Sequence, residues 1–145
     1  MNRRPLSKSP RAGLTLVELA VVIVIIGVLA AFAVPRLLKS VERSKAAEAF
    51  NYLSAVRDSQ ERYQAQNGKY ADDVTKLDIS FPAPKYFDVG TPGAGASGHI
   101  EDSWTLTLTR TGSPSGYGAY TVTFTDQGYD STNSSIATDV TPMGS

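Results

Sequence analysis

Glu18 is the only charged residue between Leu14 and Val34, in the stretch LTLVELAVVIVIIGVLAAFAV. A carboxylate at the centre of a helix in hydrocarbon costs roughly 2.5–3.5 kcal/mol. A lone one kept near the leading edge of such a run calls for a cationic partner. The chemistry Glu18 offers is therefore ion pairing, and a search for catalytic chemistry elsewhere finds little. The chain has no cysteine, which removes disulfides, thiolate metal sites and cysteine nucleophiles. No serine sits in a G-x-S-x-G turn and no nucleophile is spaced with a base, so no enzyme is expected.

Weaker signals each have an ordinary explanation. Gly93, Gly95 and Gly98 spell G-x-G-x-x-G. A phosphate cradle needs a strand before the glycines and a helix opening after them. The flanks PAPKYFDV and HIEDSW supply neither, and Gly90–Gly98 reads as a flexible loop. His99 is the only histidine, which excludes a histidine metal cluster and suggests a solvated loop residue. Asp126, Asp130 and Asp139 carry hard oxygen ligands, but their spacing fits no compact calcium site. They read as turn carboxylates, and no metal or cofactor is expected. Asn133-Ser134-Ser135 fits a glycosylation triplet, a pattern short enough to arise by chance. Tyr52, Tyr63, Tyr70, Tyr86 and Phe87 invite stacking on bases or sugars, but packing of a helix on a sheet uses them as well and is the preferred reading.

The elements that position Glu18 follow from hydropathy and charge. Residues 1–13 are polar and basic, with Arg3, Arg4, Lys8 and Arg11 and no acid, and with Pro5 and Pro10 they read as an unstructured leader. Without those four bases the 14 acids face ten positives, so no basic surface remains for nucleic acid. From Leu14 to Val34, about 21 residues at 1.5 Å each make a helix of about 31 Å, matching the roughly 30 Å hydrocarbon core of a bilayer. The basic flank keeps the N-terminal side in the cytoplasm and places the C-terminal body outside it.

The helical pattern then changes character without stopping. Ala46, Phe50, Leu53, Val56 and Tyr63 recur near a 3.6-residue period, with Lys45, Glu48, Arg57, Asp58, Glu61 and Arg62 between them. One helix is expected, apolar on all sides over 14–35 and amphipathic over 36–66, running to about Ala65 before Asn67-Gly68 ends it. Pro35 cannot donate to the carbonyl of Ala31 and should kink the helix at the junction. Gly27 is a second soft point.

Residues 67–145 form the remaining body. Tyr70–Pro92 reads as a connection with a short turn, since Pro82 and Pro84 bracket nothing long enough to be an element. SWTLTLTRT and GAYTVTFTD alternate as strands, placing Leu106 and Leu108 on one face and Tyr120, Val122 and Phe124 on one face of the next. Gly112–Gly118 supplies the turn, and a short third strand is expected near Ile136–Val140. The fold class is α+β: a long N-terminal helix packed on a small antiparallel sheet.

RAG followed by LTLVEL, then the apolar run, Gly27 and Pro35, resembles the N-terminus of a type IV pilin or of a type II secretion pseudopilin. The resemblance is specific over residues 11 to about 66 and holds in outline beyond. Leu14 stands where phenylalanine is commonest in that family, and the leader is longer than in many members. The resemblance implies a pilin fold and a membrane-anchored precursor. It implies cleavage by a prepilin peptidase between Gly13 and Leu14, with N-methylation of Leu14. Glu18 would then pair with the new amine of a neighbouring subunit, and Gly27 and Pro35 would shape the assembly helix. An α-amine has an ordinary pKa of about 7.7–8.0 and is largely cationic at neutral pH. The implied partners are further copies and other pilins, the peptidase, an inner-membrane platform protein and an assembly ATPase.

Three functions follow in order. A surface pilus subunit would serve adhesion, motility or DNA uptake. A pseudopilin would build a periplasmic pseudopilus; the missing cysteines suit it, whereas the lack of a calcium-type loop does not. A single-pass anchored binding protein would never be cut at Gly13.

Overall fold

The computed structural model describes residues 13–112 and 116–143. The expected leader, apart from Gly13, and the centre of the Gly112–Gly118 turn lie outside those residues. The chain divides into two units after Arg36, and each is treated separately.

A single helix, α1, covers Leu16–Asn67 with Pro35 inside it. It ends two residues beyond the expected Ala65. Gly68 follows with φ 72° and donates its N–H to the Gln64 carbonyl at 2.8 Å. This left-handed closure satisfies one of the last free carbonyls, and glycine adopts it without steric cost. In the N-terminal unit α1 has no cover among the described residues. The large hydrophobic residues from Leu14 to Val34 are all exposed, Leu16 the most at 86%.

The described residues of the second unit form five strands: β1 (Phe87–Val89), β2 (Gly93–Ala94), β3 (Trp104–Arg110), β4 (Thr121–Thr125) and β5 (Gly128–Tyr129). The sheet order is β1-β3-β4-β5, with β2 also paired to β3, and every pairing is antiparallel. Strand alternation turns Trp104, Leu106, Leu108 and Arg110 to the inner face. Trp104, Leu106 and Leu108 join the core with Ala46, Ala49, Phe50, Leu53 and Val56 of α1 and with Val122 and Phe124 of β4. Phe50 meets Phe124 edge-on with ring centroids 5.6 Å apart. Fully burying one such aliphatic or aromatic side chain contributes about 1.5–3 kcal/mol.

The outer face carries threonines in register, Thr105 opposite Thr125, Thr107 opposite Thr123 and Thr109 opposite Thr121. The Thr107 and Thr123 hydroxyls bond each other at 2.8 Å. β-branched side chains fit this pleated surface.

Three expectations are corrected. Ile136–Val140 forms no strand: Ile136 and Val140 drop into the core from a coil and a turn, and the last strand is Gly128–Tyr129 instead. The Tyr70–Pro92 connection holds its expected short turn, a 3-10 turn at Val74–Lys76 capped by Asp73, but also the unexpected strand β1. The glycine-rich Gly90–Gly98 segment is not simply a loop, since Gly93–Ala94 pairs with β3 and Gly95 donates to the Ser103 carbonyl at 3.0 Å. A side chain at Gly95 would sit 2.8 Å from both Ser103 Oγ and the Trp104 carbonyl, so close backbone approach accounts for this glycine.

Candidate assembly site

Thr15 and Glu18 close the N-terminus of α1 together. The Thr15 backbone N–H donates to Glu18 Oε2 at 3.0 Å and its hydroxyl donates to the same oxygen at 2.9 Å. The Glu18 N–H donates back to Thr15 Oγ1 at 3.2 Å. This reciprocal capping box satisfies donors that a helix start leaves open, and the positive end of the helix dipole favours the carboxylate. The T-x-x-E spacing before the apolar run was the signal for it. Sequence reasoning considered for Glu18 only an ionic partner in another subunit; the structure adds a hydrogen-bonding partner within the chain, Thr15. Both Thr15 donors converge on Oε2, and Oε1 has no donor among the described residues.

Gly13 and Leu14 precede the helix in exposed coil. A Cβ on Gly13 or on Gly27 would meet nothing within 4 Å. Packing within the chain therefore does not require glycine at either position. At Gly27, inside a helix, glycine costs about 1 kcal/mol relative to alanine. Pro35 lies one residue before the division between the two units. Thr15 and Glu18 are thus in direct contact, whereas Gly13, Leu14, Gly27 and Pro35 are spread along the same exposed segment.

In the second unit, sequence reasoning missed a buried ionic cluster. Glu42 on α1 is 1% exposed and Arg110 on β3 is 5% exposed. Arg110 Nε donates to Glu42 Oε1 at 2.6 Å and Nη2 to Oε2 at 3.2 Å. The Tyr120 hydroxyl donates to Oε1 at 3.0 Å, and Lys45 Nζ lies 3.6 Å from Oε2. Arg110 also donates to the carbonyls of Tyr86 and Thr111 and lies over the Tyr86 and Phe87 rings. Hydrogen bonding to Glu42 raises the Arg110 pKa, while burial, followed by the bond to Glu42, pushes Tyr120 well above the ordinary phenol value. The cluster joins the amphipathic half of α1 to two strands.

The remaining sequence candidates are dispersed. His99 is exposed. Asp130 accepts from Thr132 N and from Asn133 N and Nδ2, which lowers its pKa and fixes a turn that includes Asn133. Asp139 instead meets Lys39 at 3.5 Å and the Tyr117 hydroxyl at 3.2 Å. Among the described residues no group of three His, Cys, Asp or Glu side chains is placed to hold a metal. Tyr52, Tyr70 and Phe87 lie in the core, Tyr86 packs against it, and Tyr63 is half-buried beyond it.

An apolar run at the start of α1, exposed among the described residues and capped by the one carboxylate within it, together with an α+β body, defines the class of a membrane-anchored subunit. The chain belongs to the family of type IV pilins and type II secretion pseudopilins, structural subunits rather than enzymes. Residues 8–34 match the prokaryotic N-terminal methylation motif. The chain is 36% identical over 107 residues to the fimbrial protein EcpC of Eikenella corrodens, covering 72% of this chain and 67% of that protein. It is 38% identical over 65 residues to the type IV major pilin protein PilA of Myxococcus xanthus, covering 45% of this chain and 30% of that one. It is 33% identical over 79 residues to the type II secretion system core protein G of Aeromonas hydrophila, covering 54% and 55%. The matches to the last two span less than two thirds of those relatives. No solved structure matches.

Proposed function

We propose that this chain is a type IV pilus subunit, made as a single-pass inner-membrane precursor with its body outside the cytoplasm. A prepilin peptidase cuts between Gly13 and Leu14 and methylates the Leu14 amine. The processed chain then polymerises through α1, extracted from the bilayer by an assembly ATPase acting through a platform protein. Other pilins join the filament. The observation that carries this reading is the apolar Leu14–Val34 run, exposed along its length and interrupted by no charge but Glu18. Lipid covers such a surface in the membrane, and copies of the same helix cover it in a filament.

Three details support the site roles. Glu18 Oε1 has no donor from the described chain, so an incoming α-ammonium can bond it without displacing the Thr15 cap. Gly13 and Gly27 have open space around them, which suits a requirement set by a peptidase and by neighbouring helices. Pro35 removes a backbone donor within the exposed part of the helix, seven residues before the first buried side chain, Glu42.

A pseudopilus in a type II secretion system is the second reading, favoured by the similarity to protein G. The larger coverage of the fimbrial relative favours the pilus. Mass spectrometry of the N-terminus in sheared surface material and in membranes tests both. A chain starting at methylated Leu14 in the sheared fraction is expected for the pilus. Processed chain confined to the envelope would favour the pseudopilus, and an uncut Gly13–Leu14 bond in every fraction would overturn filament assembly.

A further inference from the structure

A cavity of about 610 Å³ opens between α1, the β4–β5 hairpin and the C-terminal segment. Its volume falls in the range of small-molecule sites, about 300–1,000 Å³. Phe124, Tyr129 and Ile136 give it an apolar wall, with Met143 also on its lining. Two polar groups on the same cavity are incompletely bonded. Thr141 is 9% exposed, and its buried hydroxyl has no hydrogen-bond partner among the described residues. A buried hydroxyl without a partner costs about 1–3 kcal/mol, so its presence calls for a bound group. Arg57 is held in place by one bond, Nε to the Asp126 carbonyl at 2.9 Å, and its terminal nitrogens have no partner among the described residues.

We propose that this cavity binds a small monocarboxylate with an apolar or aromatic body, its carboxylate on the Arg57 guanidinium and its body against Phe124, Tyr129 and Ile136. A guanidinium fork matches a carboxylate with two parallel bonds. Anchoring Nε to the hairpin leaves the Nη edge as the one available to a ligand and orders it beforehand. Thr141 supplies a hydroxyl that donates or accepts. Asp58 also lines the cavity and opposes a second negative charge, which selects monoanions.

The test is a methyl-detected NMR titration of the full chain in neutral detergent, following Thr141, Ile136 and Met143, with Thr107 on the outer sheet face as reference. Phenylacetate is expected to shift the cavity methyls saturably, at least about tenfold more tightly than phenylacetamide, its uncharged counterpart. Arg57→Gln should remove that preference and Arg57→Lys should keep part of it. Equal binding of the acid and the amide would overturn the proposal, as would shifts no larger than those at Thr107, which would leave the cavity to water alone. Because the acid–amide comparison uses the unaltered chain, it decides the matter even if the Arg57 variants fold poorly.

Discussion

Glu42 and Arg110 stand 68 positions apart and meet through two hydrogen bonds in the core, one of them 2.6 Å long. Glu42 lies one helical turn before Ala46 on the buried stripe of α1, and Arg110 continues the inward phase of Trp104, Leu106 and Leu108 on β3. Each charge therefore occupies a position the local period assigns to an apolar side chain. They tolerate it because each neutralises the other and because Tyr120 and the Tyr86 and Thr111 carbonyls share the remaining bonds.

Removing one member should be far worse than removing both. Arg110→Ala leaves Glu42 buried without its main cation, a change of about 3–5 kcal/mol. Glu42→Met with Arg110→Met and Tyr120→Phe replaces the cluster by apolar groups and should come within about 1–2 kcal/mol of the parent or exceed it. Trp104 is the only tryptophan and is fully buried, so its fluorescence during urea unfolding reports both. Equal losses in the single and triple variants would count against a coupled pair.

Alkaline pH should loosen the same region. Burial first, then the hydrogen bond to Glu42 and its negative charge, hold the Tyr120 proton in the folded state, with Arg110 acting in the opposite direction. Folding thus favours the protonated phenol. Its contribution is fully present below the unfolded pKa of about 10 and is lost as the pH rises from there toward the higher folded value. Melting temperatures between pH 8 and 11 should fall more steeply for the parent than for Tyr120→Phe. Some slope remains in the variant, because burial also raises Tyr52 and Tyr70. Identical slopes would remove Tyr120 from the account.

What the sequence made legible is what repeats. The apolar run, the stripe on α1 and the alternation of β3 and β4 each contain enough periods to read, and the structure places Leu106, Leu108, Tyr120, Val122 and Phe124 in the core. The β1 strand has only three residues, and their partners, Leu108 to Arg110, lie about twenty positions away, so nothing local marks it. Ile136 and Val140 misled for the opposite reason: two apolar anchors around a turn imitate a short strand. Glu42 was recoverable as a charge in phase with the stripe. Thr15 was recoverable from its three-residue spacing to Glu18, although the apolar context drew attention to the charge alone.

The glycines of the G-x-G-x-x-G stretch should separate cleanly on substitution. Gly95→Ala brings a Cβ against Ser103 Oγ and the Trp104 carbonyl, and backbone on that side cannot yield as a side chain would. A loss of about 1–3 kcal/mol is expected from such overpacking. Gly93→Ala meets open space and should stay within about 0.5 kcal/mol. Thermal unfolding of the two variants makes the comparison, and a Gly93 change as harmful as the Gly95 change would contradict the strand-packing explanation.

Glu18 caps α1 through Thr15, the proposed pairing with a neighbouring amine would be a second duty, and three substitutions divide the two. Thr15→Ala removes the cap but leaves the charge, costing helix stability of about 0.5–2 kcal/mol at the N-terminus. Glu18→Gln keeps an oxygen that accepts from Thr15 but removes the charge that would hold an α-ammonium. Glu18→Ala removes both. If Glu18 serves only the helix end, Gln is the mildest change and filaments form in near-normal amount. If it pairs with the amine of the next subunit, Gln and Ala should both fail to assemble while Thr15→Ala still assembles, because an uncompensated buried cation costs about 3–5 kcal/mol, more than a lost cap. Counting sheared filaments from cells with matched membrane levels of each variant reads the difference, and amide exchange at Glu18 and Leu19 shows independently whether the cap was lost.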